Sequence, residues 1–250
     1  MCIFLWLDAW WRKEGTDLPD QTAVKILDMA AGSGEATICV KDWWASRRQE
    51  TVVDSATITP SPGSALQRLP AALPSARPAF VPTFKVGGPA GGAAPSIRLS
   101  ENSPFPAILA TDPYTVQAYR DRTGLTCYPL SFEDLASGIM PRGSSEEPTE
   151  DGERQEEQDT GDTILHMVIC SFALHLVESP SQLFALLWEL TTKAKWLIII
   201  SPHKKPEIKD TWGWDHWDVE TWARATPTSP FGILKDRVHC RVFRSCNFSD

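Results

Sequence analysis

The residues whose types and spacing could do chemistry lie near the amino terminus, at positions 24–37, VKILDMAAGSGEAT. An apolar run ends at Asp28, and the small residues Ala30, Gly32 and Gly34 follow at alternate positions. Small residues directly after a strand let the backbone turn sharply and approach a ligand closely. An acid at the end of the strand can bind a cationic ammonium group or the structure around it. The segment therefore predicts a small-molecule binding loop between a strand and a helix.

The loop lacks the third glycine of a dinucleotide-binding site, which bears on the type of ligand. A nicotinamide site has the pattern GxGxxG and a helix amino terminus that is open to a pyrophosphate anion. Here Thr37 stands where the third glycine is needed, and Glu35 places a negative charge near the anion position. A cofactor without phosphate is favoured over a dinucleotide.

The segment ILDMAAGSGEAT resembles motif I of the class I S-adenosylmethionine-dependent methyltransferases, which is an apolar strand and an acid followed by GxGxG, with Ala30 in place of the first glycine. The resemblance implies S-adenosyl-L-methionine as the cofactor. It also implies that Asp28 and the backbone of Ala30, Gly32 and Gly34 surround the methionine part of the cofactor.

An acid at the end of the second strand accepts both ribose hydroxyls in that family, and the segment ILATDP supplies Asp112 for this role. Two carboxylate oxygens can accept two hydroxyl donors at once. Asp112 lies much further from Asp28 than is usual in the family. A long flexible insertion explains the excess, since each doubling of loop length costs only about 0.6 kcal/mol.

Two later segments continue the resemblance. In CYPLSFEDLA, positions 127–136, Ser131 and Phe132 align with the pair that contacts the adenine, whereas a shift of one turn would use Glu133 or Asp134 instead. In ILHMVICSFALHL, positions 164–176, Ser171 and the Leu174-His175 pair match the family's fourth motif, and Ser171 is assigned to the cofactor site.

The same fourth motif has a departure at its start, where His166 replaces an acid that is common in the family. The resemblance spans roughly residues 20–205 without the insertions. It identifies the superfamily and leaves the subfamily open.

Three features follow the fourth and fifth predicted strands, where ligand sites of open α/β sheets lie. His175 is a candidate general base, and a hydrogen-bonded structural histidine is the simpler interpretation. His203 and Lys204 could bind an anionic acceptor or form a solvated basic turn. Trp212, Trp214 and Trp217 could line an acceptor pocket or a cation cage, or pack as a lid.

The elements that must position these residues follow from hydrophobic patterning. Short apolar runs typical of buried parallel strands occur at Val24–Met29, Pro106–Thr111, Ile164–Phe172 and Lys195–Ser201. Helical patterns lie between them, one after Ser179-Pro180 and one over Thr115–Thr123 before Gly124. Alternation of strands and helices predicts an α/β, Rossmann-like, doubly wound and mostly parallel sheet. A further antiparallel strand is expected at Arg237–Arg244.

Two segments are predicted to be disordered insertions in a single domain spanning residues 1–250. Residues 54–104 are rich in Pro, Ala, Gly and Ser, and an uncertain exon boundary could also account for them. Residues 144–162 contain nine acids and one arginine. Neither composition offers an apolar face that would offset the entropy of ordering.

The acidic insertion accounts for the net charge of −8, because the remainder of the chain has 23 acidic and 23 basic residues. The folded part therefore lacks the basic surface that nucleic acid or an anionic membrane would require. No cysteine spacing is typical of a metal site or a disulfide framework, which favours a reducing, cytoplasmic location, with a nuclear one also open. The apolar start MCIFLWLDAWW is expected to be a packed helix and not a signal peptide or a membrane span.

Together these observations predict an S-adenosylmethionine-dependent methyltransferase. A small-molecule acceptor is favoured over nucleic acid, and a protein acceptor remains open. The alternative is a catalytically inactive cofactor-binding or protein-interaction module on the same fold.

Overall fold

A computed structural model describes residues 2–19, 21–49, 97–100, 102–142, 164–202, 204–227, 229 and 232–248. The chain divides into one compact unit of residues 1–49 with 97–250 and a second of residues 50–96. The second unit lies outside the described residues, as do the acidic insertion and most of the predicted insertion 54–104. The first unit contains the candidate site.

Five α-helices are formed by the described residues: α1 (Cys2–Lys13), α2 (Glu35–Gln49), α3 (Val116–Thr123), α4 (Phe132–Ala136) and α5 (Pro180–Thr191). The predicted ends of two helices are confirmed. Gly124 closes α3 in the left-handed conformation, with φ 72°, and donates its N–H to the Arg120 carbonyl. At α5, the Ser179 hydroxyl accepts a hydrogen bond from the N–H of Gln182 while Pro180 takes the first helical position.

The described strands are β1 (Lys25–Met29), β2 (Ala107–Thr111), β3 (Cys127–Tyr128), β4 (Leu165–Ser171), β5 (Ala194–Ser201), β6 (Trp214–Asp218), β7 (Ala223–Arg224), β8 (Ile233–Lys235) and β9 (Val238–Ser245). They form one sheet in the order β3-β2-β1-β4-β5-β9-β6-β7, with β8 also paired to β9. Strands β1 to β5 are parallel, and β9 runs antiparallel to β5. The predicted Rossmann-like fold and its antiparallel carboxyl-terminal strand are confirmed.

Alternate residues of the central strands feed two separate cores, because side chains of a strand point to opposite faces in turn. Ile26 packs with the tryptophans of α1 and α2 on one face, and Leu27 packs with the leucines of α5 on the other. Both faces of the sheet are therefore covered, which is why the strands have continuous apolar runs.

The amino-terminal apolar segment is helix α1, with Trp6 and Trp10 buried. Asp8 joins it to α2, accepting hydrogen bonds from Trp43 Nε1 at 2.8 Å and from Arg47 Nη2 at 2.7 Å. The predicted packed helix is thus present. Among the described residues, no helix has the length and apolar character needed to cross a bilayer.

The described carboxyl end of the predicted 54–104 insertion contributes to the core. Ile97 and Leu99 are 7% and 5% exposed and pack in the cluster of α1 and α2. The N–H of Leu99 donates to the Arg47 carbonyl at 3.2 Å. Composition alone obscured these two residues, since they stand isolated beside a long Pro/Ala/Gly-rich stretch.

Candidate functional site

Asp28 lies one residue before the end of β1 and is 2% exposed. Its Oδ2 accepts hydrogen bonds from the N–H of Thr37 at 3.1 Å and from Thr37 Oγ1 at 2.7 Å, which ties β1 to the first turn of α2. Its Oδ1 is buried and has no hydrogen-bond partner among the described residues. Burial raises the pKa of Asp28 to about 7, although the two Thr37 hydrogen bonds oppose this rise.

The unusual pKa of Asp28 predicts a pH-dependent stability. Because the pKa in the folded chain lies above its ordinary value of 3.8, the folded chain retains a proton between about pH 4 and pH 7 that the unfolded chain has lost. The stability that comes from retaining this proton is fully present below about pH 4 and is lost as the pH rises through 7. We expect wild type to lose on the order of 1–4 kcal/mol relative to Asp28→Asn between pH 4.5 and 8. Urea unfolding at several pH values measures this difference, with Asp121→Asn on the exposed side of α3 as the control. If the free energy of unfolding depends on pH in the same way for wild type and Asp28→Asn, the raised pKa of Asp28 is contradicted.

The loop after β1 adopts backbone angles that only small residues tolerate well. Ala30, Gly32 and Gly34 have φ of 54°, 58° and 91°, in the left-handed region. The N–H of Ala31 donates to the Thr111 carbonyl at 3.0 Å, which attaches the loop to the end of β2. The alternation of small residues in the sequence is therefore an alternation of left-handed backbone positions.

Gly32 and Gly34 differ in what lies beside them. A Cβ at Gly32 would meet only Glu35 Oε2 at 3.6 Å, so this side of the loop is open. A Cβ at Gly34 would lie 2.3 Å from Thr123 Cγ2 and 3.1 Å from the ring of Tyr119. Gly32 therefore leaves room for a ligand, whereas Gly34 allows close packing of the loop on α3.

Asp112 follows β2 directly and is 7% exposed. Its Oδ2 accepts a hydrogen bond from the N–H of Gly32 at 3.0 Å, and its Oδ1 accepts from the N–H groups of Tyr114 and Thr115 at 2.8 and 3.0 Å. Thr115 Oγ1 in turn donates to the Gly32 carbonyl at 2.6 Å. Asp112 thus fixes both the loop and the turn that leads into α3. A carboxylate has about four acceptor positions, so one position remains for a ligand hydroxyl.

The amino terminus of α2 is occupied by charged side chains of the protein. Glu35 accepts hydrogen bonds from Ser33 Oγ, at 2.7 Å, and from Arg122, with which it also forms a salt bridge. The Ser33 hydroxyl and Arg122 hold the pKa of Glu35 below its ordinary value. A carboxylate at this position disfavours the phosphate binding that helix amino termini commonly provide.

The predicted adenine pair lies at the start of α4. Ser131 forms a capping box with Asp134, accepting from its N–H at 3.2 Å and donating its own N–H to Asp134 Oδ2 at 2.8 Å. Phe132 is half-buried against the core beneath α4 and α5. Of the alternative residues, Asp134 belongs to the cap, and Glu133 accepts a hydrogen bond from Gln182. Local structure thus accounts for Ser131 and Asp134 without a ligand.

At the end of β4, Ser171 is half-buried and lies beside Ile200 of β5. Phe172 comes next, with φ of 57° and a side chain that is 49% exposed. His175 follows on a 3₁₀ turn and is exposed. Phe172 was not among the predicted site residues, although an exposed aromatic residue in a strained conformation is a common feature of functional sites.

The predicted tryptophan cluster is wrong as a unit, because its members lie on different faces of the sheet. Trp214 has no exposed surface, and its Nε1 donates to the Leu187 carbonyl at 2.9 Å, so it is a core residue and cannot contact an acceptor. Trp217, three residues along the same strand, faces the opposite core. Trp212 is half-buried and touches Phe184, with ring centroids 5.9 Å apart.

Of the two residues predicted in the basic turn after β5, Lys204 is exposed and His203 lies outside the described residues.

Arg241 on β9, which is 4% exposed, was also not among the predicted site residues. Its guanidinium donates to the carbonyls of Pro206 and Lys205 at 2.7 and 2.8 Å. Burial lowers the pKa of Arg241 to about 10, so it remains protonated at neutral pH. A buried cation on an apolar strand needs such partners, and here they hold the segment after β5 that carries Lys204 and Trp212.

The class of protein follows from this geometry: a Rossmann-like domain with a strained glycine loop and two carboxylates at the carboxyl ends of β1 and β2. The chain belongs to the same family as the fission yeast protein "Uncharacterized protein C17A5.05c" (Schizosaccharomyces pombe), to which it is 32% identical over 225 residues, 90% of this chain and 72% of that protein. The sequence matches no protein-family model.

Solved structures with a related backbone include three methyltransferases. A TehB-like SAM-dependent methyltransferase from Corynebacterium glutamicum is 9% identical, with 95% of this chain and 87% of that chain covered and a TM-score of 0.40. The mitomycin 7-O-methyltransferase MmcR is 8% identical, with 97% and 53% covered and a TM-score of 0.38. Magnesium protoporphyrin IX methyltransferase from Synechocystis is 12% identical, with 96% and 76% covered and a TM-score of 0.37.

Proposed function

We propose that this protein binds S-adenosyl-L-methionine at the loop after β1 and transfers its methyl group to a small-molecule acceptor. The observation that carries the proposal is the pair of buried carboxylates, Asp28 and Asp112, on either side of the open backbone at Gly32. Acids flanking a glycine loop repel a dinucleotide phosphate but suit a ligand with an ammonium group and a ribose.

The residues present fit this cofactor. The remaining acceptor position of Asp112 is available where the ribose would lie, and the buried, unpartnered Oδ1 of Asp28 stands at the strand end behind the amino acid part. The cofactor, when bound, supplies an activated methyl group on a sulfonium. The chain's own contribution is to bind and orient it, since in-line positioning supplies much of the rate when the acceptor is already nucleophilic.

Asp112 is the position where the cofactor assignment is tested most directly. We expect Asp112→Asn to bind S-adenosylhomocysteine about 10- to 100-fold more weakly, equivalent to about 1.5–3 kcal/mol for a charged acceptor. The asparagine oxygen can still accept from Tyr114 and Thr115, but its NH2 group would face the N–H of Gly32, so the melting temperature is measured alongside the affinity. Titration calorimetry measures the affinity, with Asp121→Asn on α3 as the matched control. Wild-type affinity in Asp112→Asn would exclude Asp112 as the ribose acceptor.

Thermal shift separates the candidate ligands before any acceptor is known. Stabilisation by S-adenosylhomocysteine but not by NAD supports the proposal, because the Glu35 carboxylate at the amino terminus of α2 would repel the pyrophosphate of NAD. Turnover of labelled cofactor with metabolite and protein extracts then distinguishes an enzyme from a module that binds without transfer.

The acceptor side is proposed to include His175 and Lys204, which follow β4 and β5 at the same edge as the loop. Trp212 is not assigned to this side, because it precedes β6, whose start lies beside the amino end of β5. Once an acceptor is found, we expect His175→Ala to lower turnover while leaving the affinity for S-adenosylhomocysteine within about threefold, or about 0.7 kcal/mol. The reason is that His175 is exposed and makes no hydrogen bond with other described residues. An unchanged rate would remove His175 from the mechanism.

A further inference from the structure

A cavity lies at the amino-terminal edge of the sheet, away from the glycine loop. This amino-edge cavity has a volume of about 430 Å³, and its walls include Trp10, His166, Lys195, Trp217 and Trp222. His166 and Lys195 are the second residues of β4 and β5, whereas the candidate cofactor site lies at the opposite ends of these strands. At about 3.3 Å per residue, β4 alone separates the two edges by roughly 16 Å.

Indole rings form much of the apolar part of the cavity walls. Trp222 stacks on Trp6 with centroids 5.8 Å apart and planes at 15°, and it contacts Trp196 at 5.2 Å. Trp217 meets Trp196 edge-on at 5.5 Å. The backbone of Trp222 has φ of 55°, which is costly for an aromatic residue. The fold therefore holds a strained tryptophan against this cavity.

The charges of the amino-edge cavity disfavour a cationic ligand. The guanidinium of Arg244 already lies over the rings of Trp196 and Trp217, at 5.5 and 5.2 Å. Lys13 and Lys195 line the same space. The cation beside Trp217 is therefore Arg244 of the protein itself, and not a ligand.

One of the two acids on the walls already accepts hydrogen bonds from the protein's own indole groups. Glu14 Oε2 accepts hydrogen bonds from Trp10 Nε1 at 3.1 Å and from Trp196 Nε1 at 2.8 Å. Asp17, the other acid on the walls, is exposed. Lys13, Lys195 and Arg244 therefore outnumber the acids around the cavity.

The side chains of His166 and Trp217 present hydrogen-bond donors at the walls of the cavity. His166 Nδ1 accepts from the N–H of Lys25 at 3.0 Å, so the proton of the neutral ring lies on Nε2. Burial, together with Lys195 and Lys25, lowers the pKa of His166 to about 4 and keeps the ring neutral at neutral pH. Trp217 Nε1 is buried and has no hydrogen-bond partner among the described residues.

We propose that the amino-edge cavity is a second ligand site, distinct from the cofactor site, for an aromatic anion of two or three rings. The rings pack against the indoles of Trp217 and Trp222, and the acidic group lies toward Lys13 and Lys195. The volume is within the range of about 300–1,000 Å³ that is usual for small-molecule sites.

The test uses two matched fluorescent probes, 1-anilinonaphthalene-8-sulfonate and its uncharged analogue N-phenyl-1-naphthylamine. We expect the sulfonate to bind at a ratio of 1:1, with energy transfer from tryptophan, and the uncharged probe to bind at least tenfold more weakly. Saturating S-adenosylhomocysteine, with its own binding established by calorimetry, should not displace the sulfonate. Displacement, or several equivalent binding sites, would overturn the proposal.

Charge reversal at the cavity provides the deciding comparison. Lys195→Glu, at an exposed side chain, should weaken sulfonate binding at least fivefold. Lys235→Glu makes the same change on the exposed strand β8, at the other end of β9 from Arg244, and should leave the affinity within twofold. Equal affinities in the two variants would overturn the proposal.

The aromatic wall is tested with Trp222→Gly, since glycine accepts the positive φ at this position. We expect most of the sulfonate binding to be lost and the affinity for S-adenosylhomocysteine to be kept. Retained sulfonate binding would overturn the proposal. If this variant does not fold, the comparison of Lys195→Glu with Lys235→Glu decides.

Discussion

Gly34→Ala should destabilise the protein by about 2–5 kcal/mol, the sum of a left-handed backbone and a steric clash. Gly34 has φ of 91°, and an added Cβ would lie 2.3 Å from Thr123 Cγ2. Gly124→Ala is the matched control, because Gly124 has φ of 72° but nothing within 4 Å of the added atom. It should lose only about 1 kcal/mol. Urea unfolding measures both variants.

A second substitution separates the clash from the backbone strain at Gly34. Thr123→Ser removes the Cγ2 methyl but keeps the hydroxyl that donates to the Tyr119 carbonyl and accepts from the N–H of Leu125. Gly34→Ala should therefore cost less in the Thr123→Ser background than in wild type. Equal costs in the two backgrounds would show that Thr123 does not limit the space.

Deleting residues 58–94 should leave a folded domain, whereas deleting 58–100 should cost about 4 kcal/mol or more. The longer deletion removes Ile97 and Leu99, which are 7% and 5% exposed in the core beneath α1 and α2. Loss of a large buried aliphatic side chain typically costs about 2–5 kcal/mol. The composition of residues 58–94, by contrast, offers no continuous apolar face.

Thermal and urea unfolding of the two deletion proteins test this expectation, with Ile97→Ala and Leu99→Ala in the full chain as controls. The two single variants should each reproduce part of the loss seen in the longer deletion. Equal stability of the two deletion proteins would show that residues 97–100 do not support the core.

A comparison of the strands shows where sequence patterns were sufficient. The strands β1, β4 and β5 were predicted to within one or two residues, because each is buried on both faces and is mainly apolar. The ends of α3 and α5 were predicted because a glycine in the left-handed conformation and a serine followed by proline act through their immediate neighbours. These signals are local and can be interpreted without knowing the partners of each element.

The patterns failed where a residue's role depends on a partner far along the chain. Trp214 was expected near an acceptor, but the pairing of β6 with β9 places it in the core, and the alternation of the strand sends Trp217 to the other face. Ile97 and Leu99 were included in an insertion because a composition average cannot show that α2 lies beside them. Arg241 was missed because its carbonyl partners are 35 and 36 residues away.

At the candidate site itself, the sequence determined which residues reach the carboxyl edge of the sheet, because acids and small residues follow buried strands there. Only the tertiary structure decided what each residue does at that edge. The hydrogen bond from Gly32 to Asp112 joins positions 80 residues apart, and it makes Asp112 an anchor of the loop as well as a candidate ribose acceptor. Gly34 lies against Tyr119 and Thr123, so its missing side chain serves packing, while the equally small Gly32 remains open. Two glycines with the same local conformation therefore differ in function, because the space around each is set by whichever distant element packs beside it.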